Sequence, residues 1–360
     1  MPFQIIRNDI TKVKADAIVN TANPKPVIGD GTDRAIYSAA GEKQLLAQRK
    51  KIGVIEPGQA RSTDAFQLQA RYVIHTVGPA WIDGNHSERE ILHDCYRNSL
   101  ELADELKCGS IAFPLIATGV YGFPKDEALQ IALAEISRFL LTSDMDVILV
   151  VFDRKAFELS GRLMSDISEY IDENGVHSIG REEYRGGNDR RREYLDALRV
   201  AADAERRGEG QEGMSLPAHL QAAKGMPAGK PPAAGGESLD ELLENTGDTF
   251  QQRLFRLIDE KGMDDVAVYK KANIDRKLFS RIRCNKDYHP TKKTAVALAI
   301  ALELDMPALQ DLLSRAGIAL SPSSRFDLII SYFVKEKNYN IYTIDAALFN
   351  YGQPTLSSEK

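Results

Sequence analysis

Residues 15–41, ADAIVNTANPKPVIGDGTDRAIYSAAG, decide the fold of the first part of this chain. The apolar run at 17–19 is short enough for a buried strand that is covered on both faces. A loop containing Gly29 and Gly31 follows it, and a helical run begins at Asp33. Such a loop offers backbone N–H groups to an anion, and the helix start adds a positive dipole. The stretch therefore predicts an anion-binding loop within an α/β fold.

Strands and helices alternate along the residues around this stretch. The apolar patterns predict strands near 3–7, 16–19, 58–63, 72–76, 110–115 and 147–152. They predict helices over 33–40, 42–52, 87–106, 125–141 and 154–171. Ser87, with Glu90 three residues on, is the predicted capping box of the third helix. The alternation predicts a three-layer α/β/α domain with a mixed central sheet.

Several motifs in this part resemble those of the macrodomain family, which binds ADP-ribose and includes proteins that process ADP-ribose 1''-phosphate. The matching stretches are residues 15–41, YVIHTVGPAW at 72–81, SIAFPLIATGVYGFP at 110–124 and the segment NDIT at 8–11. The resemblance covers residues 2–171, and several separate motifs in the same order are more specific than one glycine loop. It implies ADP-ribose, or an ADP-ribosylated substrate, as the ligand.

The resemblance also implies the roles of individual residues. Asn23 would hold the distal ribose, and Asp33, ten positions on, would place the attacking water. The implied ligand-binding residues are Asp9, Ile10, Asn20, Gly29, Gly31, Thr118, Gly119, Val120, Tyr121 and Gly122. Each implied role has a structural alternative. Asp9 also suits a turn before Thr11, Asn20 suits loose backbone groups at a strand end, and Asp33 suits a helix N-cap.

The chemistry open to Asp33 depends on its pKa. An ordinary aspartate has a pKa of about 3.9 and is a weak base at neutral pH. Burial would raise this pKa, whereas the dipole of the helix would lower it. Asp33 therefore either takes a proton from water or only positions water and ribose, with a substrate phosphate helping to orient the nucleophile.

Three residues near Asp33 depart from the family pattern. Asp30 interrupts the consecutive glycines that are common in hydrolytic members, and Thr32 and Tyr37 stand where Val and His are more usual. A carboxylate that faces a pyrophosphate would repel it by kilocalories unless it points to solvent or pairs with a cation. Two functions therefore stay open. One is hydrolysis of ADP-ribosyl ester or O-acetyl-ADP-ribose linkages, and the other is non-catalytic reading or sensing of ADP-ribose.

Composition limits the other function classes. The formal net charge of −6 argues against a general polyanion binder but leaves room for a local basic patch. The three cysteines form no CxxC pair, so we predict neither a disulfide framework nor a zinc site, and a reducing cytoplasm fits. The six histidines lack metal-ligand spacing, and we expect neither a metal nor a cofactor. No apolar run of about 18 residues predicts a membrane span.

The composition divides the chain into three parts, a macrodomain-like part at 1–172, a linker at 173–238 and an all-helical part at 239–360. The middle part is first charged and then rich in Gly and Pro, and it lacks the aromatic and β-branched residues that a core needs. We therefore predict a flexible linker followed by a separate all-α domain.

The last part has seven predicted helices, over 249–261, 264–271, 275–283, 291–304, 307–316, 323–335 and 341–349. Residues 266–313 resemble the helix-turn-helix domains of the lambda-repressor type, with VAVYKKANIDRKLFSRIRCN as second helix, turn and recognition helix. Basic residues exceed acidic ones in this span. The resemblance implies possible nucleic-acid contacts by Arg276, Lys277, Ser280, Arg281 and Arg283. A solvated face that docks another protein remains the alternative.

Overall fold

The computed structural model describes residues 2–152, 161–175 and 247–357. A six-stranded sheet lies within the first of these ranges, in the order β1-β6-β5-β2-β4-β3. All neighbouring strands are parallel except β3 and β4, which are antiparallel. The sheet is therefore mixed, as predicted. Its strands are β1 Phe3–Arg7, β2 Ala17–Thr21, β3 Ala60–Asp64, β4 Tyr72–Thr76, β5 Ser110–Pro114 and β6 Asp146–Val151.

Helices cover both faces of this sheet. Successive residues of a strand point to opposite faces, and β2 shows the consequence: Ile18 packs with α1 and α2, whereas Val19 packs with α3 and α4. The three-layer α/β/α prediction is confirmed. The described helices of this part are α1 Thr32–Ala40, α2 Glu42–Ile52, α3 Glu88–Glu105, α4 Lys125–Leu140 and α5 Gly161–Asn174. The predicted start of the last helix, at 154–160, lies outside the described residues.

The start of α3 differs from the sequence prediction. Ser87 precedes the helix with a left-handed φ of 59°, and its side chain caps no backbone group. The predicted capping box was therefore wrong. The carboxylate of Glu88 instead turns back onto the preceding loop, where it accepts hydrogen bonds from the backbone N–H groups of Ile82, Asp83, Gly84 and His86.

Seven helices form the last described part of the chain, and each predicted boundary lies within three residues of the observed one. They are α6 Phe250–Glu260, α7 Asp265–Lys271, α8 Arg276–Cys284, α9 Lys292–Ala301, α10 Met306–Ser314, α11 Arg325–Lys335 and α12 Ile341–Asn350. Each begins at a side chain that accepts a backbone N–H of the first turn, which satisfies one of the unpaired donors there. These N-caps are Thr249, Asp264, Asp275, Thr291, Asp305, Ser324 and Asn340. None of the described helices is both long and apolar enough to cross a bilayer.

The helical part packs against the β1 edge of the sheet, and the described residues up to Gly175 and from Asp248 onward form one compact unit. Asn273, in the turn between α7 and α8, makes the central contact. Its Oδ1 accepts the N–H of Phe3 at 2.9 Å, and its Nδ2 donates to the carbonyl oxygen of Phe3 at 3.0 Å. Asn273 is 1% exposed. Its amide therefore replaces a neighbouring strand at this point of β1.

These contacts lie at the amino-terminal ends of the strands. Phe3 is the first residue of β1, and Lys270 contacts Ser143 and Asp144 just before β6. In a parallel sheet, the loops that follow the carboxyl-terminal strand ends lie at the other edge. These contacts of the helical part therefore do not cover the loops after β2 and β5.

Candidate functional site

Two loops at the carboxyl-terminal ends of β2 and β5 bring most of the predicted ligand residues together. The two strands are parallel neighbours in the sheet. The chain passes from β2 to α1 on one face and from β5 to α4 on the other face. Adjacent strands that lead to opposite faces open a crevice between their loops, which is where open α/β sheets bind ligands. Tyr121 closes one side of it, because its hydroxyl donates to Asn23 Oδ1 at 3.4 Å.

Asp33 is the buried carboxylate of this crevice. It is 3% exposed and lies in the first turn of α1, whose N-cap is Gly31. The N-cap alternative for Asp33 was therefore wrong. Its Oδ1 accepts a hydrogen bond from Asn20 Nδ2 at 2.6 Å, and its Oδ2 accepts the N–H of Gly29 at 2.6 Å. Two donors from different elements thus fix the orientation of this carboxylate.

Burial raises the pKa of the Asp33 carboxyl above its ordinary value. The N–H of Gly29, the amide of Asn20 and the charges of Arg49 and Arg34 oppose this rise in pKa, in that order. Desolvation therefore outweighs these groups, and Asp33 is a stronger base than an exposed aspartate. Its anion nevertheless keeps two hydrogen bonds, so the carboxylate stays in one position.

Asn20 lies behind Asp33, within the core. It is fully buried, and its Nδ2 also lies 3.2 Å from Nδ1 of His75. Burial lowers the pKa of His75 to about 3, with a smaller effect from the charge of Arg49. The ring is therefore neutral and accepts the Asn20 amide at Nδ1. Its Nε2–H then points to Thr63 Oγ1, 3.0 Å away. These contacts favour the structural alternative for Asn20.

Asn23 and Asp33 both lie against Gly29. Asn23 is half-buried, and its Nδ2 donates to the carbonyl oxygen of Val27 at 3.2 Å. A Cβ atom at Gly29 would lie 2.8 Å from Asn23 Nδ2 and 3.3 Å from Asp33 Oδ2. A side chain at this position would displace the amide, because heavy atoms do not approach so closely. Because Gly29 has no side chain, Asn23 and Asp33 can both lie close to it.

The residues that depart from the family pattern lie in different surroundings. Asp30 is on the outside of the loop, with 79% of its side chain exposed, and it lies 3.6 Å from Arg34. The predicted repulsion of a pyrophosphate is therefore reduced by solvent and by a cation. Thr32 is the first residue of α1. Tyr37 is buried beneath the site, where burial and the charge of Asp33 raise its pKa to about 12.

The second loop is built from tight turns after β5. Thr118 Oγ1 donates to the carbonyl oxygen of Leu115, and the N–H of Gly122 donates to the carbonyl oxygen of Gly119. Gly122 has a φ of 67°, which glycine adopts without strain. Val120 is 85% exposed at the loop tip. This exposure leaves a large apolar side chain beside the crevice.

Asp9 and Ile10 lie at the end of β1. Asp9 caps a short 3₁₀ turn, Ile10–Lys12, because its Oδ1 accepts hydrogen bonds from the N–H and the hydroxyl of Thr11. Ile10 is buried in the core beside α1. The turn-capping alternative for Asp9 is therefore present in the structure, and the adenine role stays a prediction.

Arg49 was not among the residues predicted from the sequence. It lies in the last turn of α2 and is 1% exposed. Its guanidinium donates to the carbonyl oxygens of Asn23 and Pro24, both at 3.0 Å, and to that of Gly53. One signal was available in the sequence. Arg49 follows the buried Leu45 by four residues, and this spacing places both side chains on the inner face of the helix.

The basic residues of α8 lie away from this crevice. Arg276, Lys277, Ser280 and Arg281 are exposed. Arg283 is also exposed, but it pairs with Asp265, and its guanidinium lies 4.7 Å from the ring centre of Phe255. Four of the five predicted contact residues therefore present their side chains to solvent without a described ion pair.

Comparisons with known proteins concern the first part of the chain. The sequence profile of the family described as "Macro domain" matches residues 19–132. The macro domain-containing protein CT2219 of Chlorobaculum tepidum is 48% identical over 147 residues, which cover 41% of this chain and 84% of that protein. The O-acetyl-ADP-ribose deacetylase of Cronobacter turicensis is 43% identical over 172 residues, with coverages of 46% and 98%. The solved Oceanobacillus iheyensis macrodomain with ADP is 41% identical, with coverages of 43% of this chain and 85% of that chain and a TM-score of 0.41.

Proposed function

The chain belongs to the macro domain family through its first part, and from this we propose that it binds ADP-ribose in the crevice between the β2 and β5 loops and hydrolyses O-acetyl-ADP-ribose or a related ADP-ribosyl ester. One observation supports hydrolysis above all. Asp33 is a buried carboxylate of raised pKa that Asn20 and Gly29 hold in one orientation beside Asn23. A positioned carboxylate of raised pKa is what proton transfer from water requires.

The proposed binding mode uses the groups that the two loops offer. The amide of Asn23 provides both a donor and an acceptor, which suits the diol of the distal ribose. Backbone N–H groups of the loops and the positive end of α1 suit the diphosphate. Tyr121 forms an aromatic wall, with Thr118, Gly119, Val120 and Gly122 around the phosphates. Asp9 and Ile10 lie at the end of β1, where the adenine would bind.

The proposed reaction is the attack of a water molecule that Asp33 orients. In O-acetyl-ADP-ribose the water oxygen bonds to the acetyl carbon, and the carboxylate of Asp33 takes one proton of the water. The bond between the acetyl carbon and the ribose oxygen then breaks. That oxygen leaves with the proton from Asp33, so the products are acetate and ADP-ribose. In an ester at the anomeric carbon, the same water would attack that carbon while giving a proton to Asp33. The bond between that carbon and the ester oxygen would break, the carboxylate would leave, and Asp33 would release the proton to solvent.

The full chain should bind ADP-ribose and release acetate from O-acetyl-ADP-ribose. We would titrate ADP-ribose by calorimetry and assay turnover of O-acetyl-ADP-ribose and of a mono-ADP-ribosylated protein in parallel. Binding with turnover of either substrate is the expected result. If the protein binds ADP-ribose but turns over neither substrate, hydrolysis is contradicted and the ADP-ribose reader is favoured. An absence of binding would overturn the proposal as a whole.

A second candidate function is a reader or sensor of ADP-ribose whose helical part contacts DNA. The exposed basic residues of α8 favour it, because they follow a turn and lie on one solvent-facing helix. Asn273 ties that turn to β1, so α8 is held in place by the rest of the protein. The alternative is that the same face of α8 binds a protein partner, and a DNA-binding test separates the two.

Arg281→Ala should weaken DNA binding by the full chain and reduce its dependence on salt. Loss of one phosphate contact lowers the slope of log affinity against log salt by about 1. Gel shifts with duplex DNA from low salt to physiological salt would measure it. Arg325→Ala, an exposed arginine at the start of α11, is the control and should leave the slope unchanged. If wild type binds no DNA even at low salt, the DNA function is excluded and a protein partner is favoured.

A further inference from the structure

We propose that Arg49 is a positioning residue of the active site, whose buried guanidinium holds the backbone that carries Asn23 and balances the negative charge of Asp33. This inference rests on the proposed hydrolysis by Asp33. It assigns a role to α2, a helix that contributes no predicted ligand contact.

The hydrogen bonds of Arg49 join two segments of the chain. Its Nη2 donates to the carbonyl oxygens of Asn23 and Pro24, and its Nη1 donates to that of Gly53 at the end of α2. A guanidinium is planar and presents its donors in a rigid fork, so three acceptors around it are fixed relative to one another. The start of the β2 loop, including Asn23, is thereby fastened to α2.

The charge of Arg49 has no carboxylate within ion-pair distance in the part of the chain that the structure describes. Among the described residues, its hydrogen bonds go to backbone carbonyls, and no described carboxylate forms an ion pair with it. Buried charges in proteins are normally paired. The charge of Arg49 lowers the pKa of Asp33, although less than the N–H of Gly29 and the amide of Asn20 do, and Arg49 also interacts with Tyr37. Arg49 and the ionised form of Asp33 therefore stabilise each other across the loop.

The other groups around Asp33 do not supply this charge. Arg34 is the second cation that acts on it, but its side chain is 61% exposed and lies near Asp30. Solvent and the neighbouring carboxylate screen its effect. The remaining polar groups that face Asp33 are uncharged at neutral pH, namely the amide of Asn20, the N–H of Gly29, the hydroxyls of Tyr37 and Tyr121, and the neutral ring of His75.

Two substitutions separate the charge of Arg49 from its geometry. Arg49→Met removes both, whereas Arg49→Lys keeps the charge and loses the fork. We expect Arg49→Met to move the acidic limb of kcat/KM to higher pH, because loss of an opposite charge disfavours the ionised carboxylate. Arg49→Lys should leave that limb in place and lower kcat about 10-fold, as misplacement of a substrate-positioning group does. Arg34→Met should move the limb less than Arg49→Met.

A second measurement keeps this test independent of turnover. The Asp33 carboxyl is titrated by ¹³C NMR in wild type, Arg49→Met and Arg49→Lys, and a thermal melt establishes that each variant is folded. If the Asp33 pKa rises in Arg49→Met but not in Arg49→Lys, the charge role is supported. This result does not depend on turnover, so a wild type that hydrolyses neither substrate would contradict only the proposed function. An unchanged Asp33 pKa in Arg49→Met overturns the charge role. If the kcat of Arg49→Lys equals that of the wild type, the positioning role is overturned, whether or not Arg49→Met folds.

Discussion

Replacing Asp33 by Ala should lower the turnover of O-acetyl-ADP-ribose by about 100-fold or more, which is the usual contribution of a positioned general base. The carboxylate is the only described acid between the two loops that is both buried and held by two donors. ADP-ribose binding should persist, because Asn23 and the loop backbones make the proposed contacts with ribose and phosphate. Calorimetry on the same preparation would measure binding, and acetate release would measure turnover.

Asp30→Ala is the matched control for this variant. Asp30 lies three residues earlier, in the loop before α1, and is also an aspartate, but it is exposed and lies near Arg34. An exposed ion pair contributes about 0.2–1 kcal/mol, so we expect turnover within a few fold of wild type. If Asp30→Ala lost as much turnover as Asp33→Ala, the conformation of the loop would matter rather than the carboxylate of Asp33.

The pH dependence of the wild type follows from the same carboxylate. Only the ionised form of Asp33 can take a proton, and burial raises its pKa. The rate should therefore fall as the pH decreases through the raised pKa of Asp33, which lies above the ordinary value of about 3.9. This acidic limb should disappear in Asp33→Ala, where only the residual rate remains.

Replacing Asn273 by Ala should destabilise the protein by about 2–4 kcal/mol, because each buried polar group left without a partner costs about 1–3 kcal/mol. The variant leaves both the N–H and the carbonyl oxygen of Phe3 without their Asn273 partner. Asn273 also has a φ of 51°, which asparagine tolerates better than alanine. The free energy of unfolding in urea would measure the loss.

Two further variants test the origin of this loss. Asn273→Gly relieves the backbone strain but not the missing hydrogen bonds, so it should recover only about 1 kcal/mol relative to Ala. Asn285→Ala removes an exposed amide that accepts one N–H, from Asp287, and should cost less than about 1 kcal/mol. If Asn273→Ala were as stable as wild type, the paired bonds to Phe3 would contribute nothing to the packing of the two parts.

Local signals explain why so much of the fold was predictable. Each helix of the last part begins at a side-chain N-cap that is visible in the sequence. In α6 the buried apolar residues also follow the helical period. Ser87 does not cap α3 in this way, and the carboxylate of Glu88 binds the preceding loop. That interaction depends on how the loop folds back, which the helix pattern does not encode.

The candidate site also contains residues that the sequence predicted and residues that it did not. The spacing of Asn23 and Asp33 was visible in the sequence, and in the structure both side chains lie beside Gly29. Arg49 was not predicted, since its partners lie 25 and 26 residues away and are backbone carbonyls of no distinctive type. The contact between Phe3 and Asn273 spans 270 residues. Contacts of this kind depend on the tertiary arrangement, and a single sequence has no local pattern for them.

The pairing of Asn273 with Phe3 has a practical consequence for anyone who shortens this protein to its first part. Such a fragment would keep the crevice but would lose the amide that covers the outer edge of β1 at Phe3. An uncovered strand edge is a template for another strand, so copies of the fragment would tend to associate edge to edge and precipitate on storage. Preparations of the isolated first part should therefore form larger particles over time than the full chain does at the same concentration.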